Sequence, residues 1–329
     1  MNTIFERAKT FIYRNARPID YARWCYHFEK GTAEEVLKAL KAYQNEDGGF
    51  GHALEADCWN PNSAPMQTWC ATEILRELLV TSKNDKIFEL IKNSDLVKGI
   101  LDYLENSLDE EGNGWRNCIE SNNDYPHAPW WECSVTAQEQ QSLNERFNDI
   151  YNPTAALAGF ILVYAPKDSG IHQKASCIAE RAIEDMLIID GLCDMHVISC
   201  FIQLYEYIKM TNVSDRFKIY ELEQKLKSLV YGTISHDKEQ WGKSYLCKPS
   251  QYMQSKDSIF FEQNQEITMF ECDFIRKTQM DDGTWSIPWG WGAYPEEWAI
   301  SKNWWKSDVI IKNCLYLRNV FEERDKCQY

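Results

Sequence analysis

No stretch of the 329 residues approaches the roughly 18 to 20 consecutive apolar residues that a membrane-spanning helix requires. Basic residues are also scarce, since 35 Lys and Arg stand against 50 Asp and Glu and leave a formal charge of −15. Nucleic-acid and anionic-membrane surfaces are bound by clustered Lys and Arg, so both partner classes are disfavoured. The chain opens with no signal-peptide pattern, and no apolar–polar alternation of strand length competes with its helical text. The twelve cysteines are too few in so long a chain for a disulfide framework. Cys70, Cys177, Cys200 and Cys314 sit in helical segments, so most cysteines read as reduced residues of a cytoplasmic protein.

What the sequence does have is helix period and aromatic rings. Apolar residues recur at three- and four-residue spacing over 33–43, 64–80, 94–108, 152–165, 174–188, 195–210, 216–234, 267–279 and 308–324. Shorter helices are expected at 3–14, 84–93 and 134–149, which gives about twelve in all and predicts an all-α chain of about six helical hairpins. Thirteen Trp, 17 Tyr and 14 Phe supply a surplus of aromatic faces. The turns repeat as well: "YQNEDGGFG" (43–51), "LDEEGNGW" (108–115) and "TQMDDGTW" (278–285) each follow a helix with acids, glycine and an aromatic. Two share the tighter spacing Q-x3-G-x-aromatic, in Gln44, Gly48, Phe50 and in Gln279, Gly283, Trp285. Glycine closes the helix end in the left-handed conformation, the aromatic folds back, and the Gln amide binds a neighbouring backbone. Gln44 and Gln279 are accordingly expected at equivalent places in their repeats, facing outward.

On these turns the chain resembles the terpenoid cyclase and protein prenyltransferase superfamily, whose squalene-hopene cyclase members carry such repeats. The segments "HALE-D", "HAPWW" and "NP-AAL-G" are similar to those of a group of single-domain bacterial proteins of that type. The resemblance implies an (α/α)6 toroid over residues 1–329, with rings of helices around a central cavity. The superfamily's cyclase motifs are missing, since no D-x-D-D and no D-D-x-x-D occurs, and the D-x-C spacing of the prenyltransferases occurs only at Asp325–Lys326–Cys327. No cofactor and no metal is therefore expected.

Four constellations remain. His52, Glu55 and Asp57 follow the first turn; a carboxylic acid desolvated by aromatic neighbours can protonate a substrate, and the same acids can cap the next helix. His127, Trp130 and Trp131 lie in a loop stiffened by Pro126 and Pro129, as a binding surface or as a plug of the helix ends. Cys193, Asp194 and His196 have zinc-ligand chemistry without zinc-ligand spacing. Trp285, Trp289, Trp291, Trp298, Trp304 and Trp305 crowd the segment before the last helix, as cation-stabilising or sugar-stacking faces or as a rigid lid. The expectation is an enzyme that takes an apolar, isoprenoid substrate, with Glu55 or Asp57 as proton donor and His127 as partner. His52, Trp130, Trp131, Trp285, Trp289, Trp291 and Trp298 would contact that substrate. A glycosidase- or lyase-type enzyme uses paired acids and stacking rings equally well, and a lipid- or peptide-binding module is the third reading.

Overall fold

The computed structural model of the chain describes residues 2–82, 84–109, 111–133, 143–191, 193–211 and 214–321. Among these the regular structure is helical and no strand forms, so the protein is all-α. In chain order the helices are α1 (Asn2–Asn15), α2 (Pro18–Phe28), α3 (Ala33–Lys41), α4 (Pro65–Ser82), α5 (Asp85–Lys92), α6 (Asp95–Asn106) and α7 (Leu143–Tyr151). They continue with α8 (Thr154–Tyr164), α9 (Gly170–Ile188), α10 (Met195–Met210), α11 (Ile219–Thr233), α12 (Gln265–Thr278) and α13 (Pro295–Tyr316). No described helix is long and apolar enough to cross a membrane.

Two differences from the sequence expectation have physical reasons. Helix α2 was not anticipated, because its buried face carries Asp20 and Arg23 beside Ile19 and Trp24, which breaks the apolar period. Helix α13 starts at Pro295, far ahead of the apolar text at 308, since proline suits the first helical turn and its early residues are exposed and polar. Of the helix expected at 134–149, residues 134–142 lie outside those described.

The chain divides into two compact units, Lys41–Leu229 and the joined segments Met1–Leu40 and Val230–Tyr329. In the first, α8 packs between α9 and α10. Its text is apolar on every side, and residues Thr154 to Leu162 are all buried, as expected of a helix with no solvent face. In the second, α13 packs on α1 and α2 around Ile12, Trp24, Ile311 and Tyr316. The same unit buries an ion cluster: Arg23 reaches Asp20 at 3.1 Å and Asp308 at 2.9 Å.

The repeated turns are equivalent atom for atom. Gln44 Nε2 donates to the carbonyl of Gly48 at 2.8 Å and to that of Leu96, in the first turn of α6, at 3.0 Å. Gln279 Nε2 does the same to Gly283 and to Ile4, in the first turn of α1, both at 3.0 Å. Both glycines are left-handed, at φ 88° and 89°. A Cβ on Gly48 would meet the Gly99 carbonyl oxygen at 2.1 Å, and one on Gly283 the Arg7 carbonyl oxygen at 2.3 Å, so both turns press backbone to backbone. Asp47 and Asp282 each accept an amide two residues ahead, which rigidifies the turn locally.

Candidate functional site

The candidate site lies within Lys41–Leu229 and begins with the loop after the first turn. His52 and Ala53 both sit at φ 59°, a pair of left-handed residues that are not glycine. Such a conformation persists where surrounding bonds over-determine it, and here Gln67 of α4 supplies them. Its Oε1 accepts the Leu54 amide at 2.9 Å and its Nε2 donates to the Asn60 carbonyl at 3.0 Å, which ties both ends of the loop to one buried side chain. His52 is exposed and pairs through Nε2 with Asn45 Oδ1 at 2.8 Å, so it links the loop to the preceding turn. Glu55 and Asp57 are buried, and Glu55 Oε2 accepts the Asp57 amide at 2.9 Å.

A second loop lies alongside. Cys58 and His127 form an antiparallel bridge, the Trp59 amide donates to the Pro126 carbonyl at 2.9 Å, and the Ala128 amide donates to the Asp57 carbonyl at 2.8 Å. Asn60 Nδ2 extends the pairing to Asn122 Oδ1 at 2.9 Å. The structure thus brings His127 to the backbone of Asp57, two candidates separated widely in sequence. His127 is buried, with Nδ1 2.6 Å from the Tyr125 carbonyl. A carbonyl only accepts, so Nδ1 carries a proton and donates it to this bond. Trp130 is largely exposed and Trp131 half-buried in the single helical turn Pro129–Trp131.

The residues that sequence reasoning missed lie on α4 and α10. Trp69, Glu73 and Arg76 share one face of α4, and Ser199, Gln203 and Glu206 share one face of α10, each at i, i+4, i+7 spacing. The two faces meet twice: Trp69 Nε1 donates to Gln203 Oε1 at 2.9 Å, and Arg76 Nη1 to Glu206 Oε2 at 2.8 Å. Arg76 Nε also reaches Glu73 Oε1 at 3.0 Å, so one guanidinium bridges two carboxylates. The order of these contacts makes α4 and α10 run in the same direction. The loop held by Gln67 stands at the N-terminal end of α4, where Gln67 lies two residues before Trp69 and about 200° around the helix from it. The sequence signal was available: Gln203 and Glu206 are polar positions on an otherwise buried apolar helix, a pattern that demands a partner.

Electrostatics single out Glu206. Its side chain is 44% accessible, yet the surrounding protein strips enough water to raise its pKa. Arg76 opposes that rise and Glu73 reinforces it. Burial works against the charge on Arg76 as well, but Glu73 and Glu206 outweigh it and hold the guanidinium protonated. The stripe is thus a fixed cation between two acids, one of them inclined to keep its proton.

The other predicted aromatics belong to the unit of Met1–Leu40 and Val230–Tyr329. Trp285 is buried and donates from Nε1 to the Ile275 carbonyl at 2.8 Å, completing the second turn. Trp291 is buried against Trp298, their ring centroids 5.7 Å apart. Trp289 stands edge-on to Tyr245 at 5.3 Å and to Trp305 at 5.4 Å, and Arg17 lies over Trp304. Asp194 caps α10 by accepting the His196 amide at 2.8 Å, and Cys193 is buried. Among the described residues no group of three or more His, Cys, Asp or Glu has the geometry to hold a metal ion. No protein-family model, no curated protein and no solved structure matches the chain.

Proposed function

We propose that the α4–α10 stripe binds a polar, sugar-type substrate and that Glu206 protonates the leaving oxygen as its glycosidic bond is cleaved. The observation that carries this reading is the Arg76 bridge between Glu73 and Glu206 on a water-accessible helix face. A proton donor at neutral pH is a carboxylic acid with a raised pKa, and burial with Glu73 nearby raises that of Glu206. Glu73 is held by Arg76 Nε at 3.0 Å. Trp69, oriented by Gln203, offers a ring for stacking.

Isoprenoid cyclisation, implied by the superfamily resemblance, ranks second. It calls for an apolar aromatic wall, which the Tyr245, Trp289 and Trp305 cluster supplies, whereas charges on α4 and α10 would be costly beside a hydrocarbon. An (α/α)6 toroid in the cytoplasm remains part of the proposal, supported by the equivalence of the Gln44 and Gln279 turns. The test is a calorimetric binding panel of neutral and acidic oligosaccharides against isoprenoid diphosphates. Saccharide binding is expected, lost in Trp69→Ala and kept in Glu206→Gln, with bond cleavage in the latter reduced by roughly a hundredfold or more. Isoprenoid binding that ignores Trp69 would restore the cyclase reading.

A further inference from the structure

The unit of Met1–Leu40 and Val230–Tyr329 holds a cavity of about 300 Å³ between α1 and the Gln279 turn, with Arg7, Phe11, Arg14, Asp281 and Asp282 in its walls. Its two sides are locked together. Gln279 Nε2 donates to the Ile4 carbonyl at 3.0 Å and Gly283 presses on the Arg7 carbonyl, which sets Asp281 and Asp282 against α1. Arg7 and Arg14 are two helical turns apart, so they share one face of α1 with their Cα atoms about 10 Å from each other. Phe11 lies between them and is buried, an apolar floor. Asp282 is fully engaged: Oδ1 accepts the Thr284 amide at 3.0 Å and its hydroxyl at 2.6 Å, and Oδ2 faces Lys306 Nζ at 3.4 Å. Asp and Glu outnumber Lys and Arg by 50 to 35, yet no described residue makes an ion pair or side-chain hydrogen bond with Arg7, Arg14 or Asp281. The cavity therefore presents two unpaired guanidiniums and one unpaired carboxylate.

We infer that this cavity binds a dicarboxylic amino acid, whose two carboxylates take Arg7 and Arg14, whose ammonium faces Asp281 and whose methylene stem lies on Phe11. This holds whatever substrate the α4–α10 stripe takes. A guanidinium fork matches a carboxylate in shape as well as charge, and two of them on one helix face call for two anionic groups on the ligand. The one unpaired acid calls for a cation. A dicarboxylic amino acid carries the converse of this set, two negative groups and one positive. An inorganic phosphate would satisfy the arginines but stand against Asp281, and a monocarboxylic amino acid would leave one arginine unpaired. The volume suits a ligand of this small size together with a few waters.

The experiment titrates the full chain by calorimetry with L-glutamate, L-aspartate, glutarate and inorganic phosphate. Saturable binding of L-glutamate or L-aspartate is expected, with glutarate and phosphate weaker by roughly tenfold or more, since each lacks the ammonium. Arg7→Gln and Arg14→Gln should each weaken the amino acid by roughly tenfold or more, and Asp281→Asn should erase its advantage over glutarate. All three side chains are exposed, so the variants keep the fold, which circular dichroism checks. Arg276→Gln, whose side chain pairs with Asp273 outside the cavity, should bind as the unsubstituted protein does. Three results would each overturn the inference: no saturable binding of either amino acid up to roughly 10 mM, undiminished binding in Arg14→Gln, or glutarate or phosphate binding as tightly as the amino acids.

Discussion

Arg76 and Glu206 join α4 to α10 at 2.8 Å, and the same guanidinium holds Glu73 at 3.0 Å. Removing Arg76 leaves two carboxylates facing each other with no cation between them. Arg76→Met should therefore cost roughly 1 to 3 kcal/mol of stability, below the cost at a fully dry site because water reaches both acids. Urea denaturation measures the loss, and an unchanged midpoint would show that the bridge is only a surface ion pair.

The protonation of Glu206 makes a prediction of definite sign. Its folded pKa lies above the ordinary 4.5, so its favourable contribution is complete below that value and is lost as pH rises through the folded pKa. Glu206→Gln, which cannot ionise, should flatten that decline. Stability curves of both proteins from pH 4 upward should diverge in the direction of a relatively more stable variant at higher pH. Parallel curves would remove Glu206 as a proton donor.

Asp308 should behave in the opposite sense. Burial opposes its charge, but Lys312 and Arg23 outweigh burial and hold its pKa below the ordinary 3.8. Its contribution is present above that value and disappears as pH falls through the folded pKa. Asp308→Asn should lower stability at neutral pH by about 3 kcal/mol and shrink the acid-induced loss. Thermal melts at neutral pH and near pH 3 check both parts.

The turns yield a graded series of substitutions. Gly48→Ala and Gly283→Ala combine a left-handed φ with a Cβ pressed into a carbonyl, and each should cost more than about 3 kcal/mol. Gly112 is also left-handed, at φ 72°, but a Cβ there meets nothing within 4 Å. Gly112→Ala should cost only about 1 kcal/mol, the conformational share. Equal losses at all three positions would refute the close docking of the two Gln turns.

Gln67 is the clamp of the Glu55 loop. Gln67→Ala removes the acceptor of the Leu54 amide and the donor to Asn60, so hydrogen exchange at Leu54 should accelerate severalfold while exchange along α8 stays protected. Uniform acceleration across both would mean global destabilisation instead of a local release.

Much of this protein was set by the sequence itself, because helix period and turn chemistry are local. Apolar spacing announced α3, α4, α6, α8, α9 and α10, and the spacing of Gln44, Gly48 and Phe50 against Gln279, Gly283 and Trp285 announced two equivalent turns. Each of those features depends on neighbours a few residues away. Helix α2 escaped because Asp20 and Arg23, buried as ions, hide its apolar stripe, and their partner Asp308 comes from the far end of the chain. The adjacency of Asp57 and His127 and the Arg76 bridge were likewise decided by tertiary structure. They join residues whose separation in sequence carries no period, and their geometry exists only once helices and loops have packed and fixed the side chains against one another.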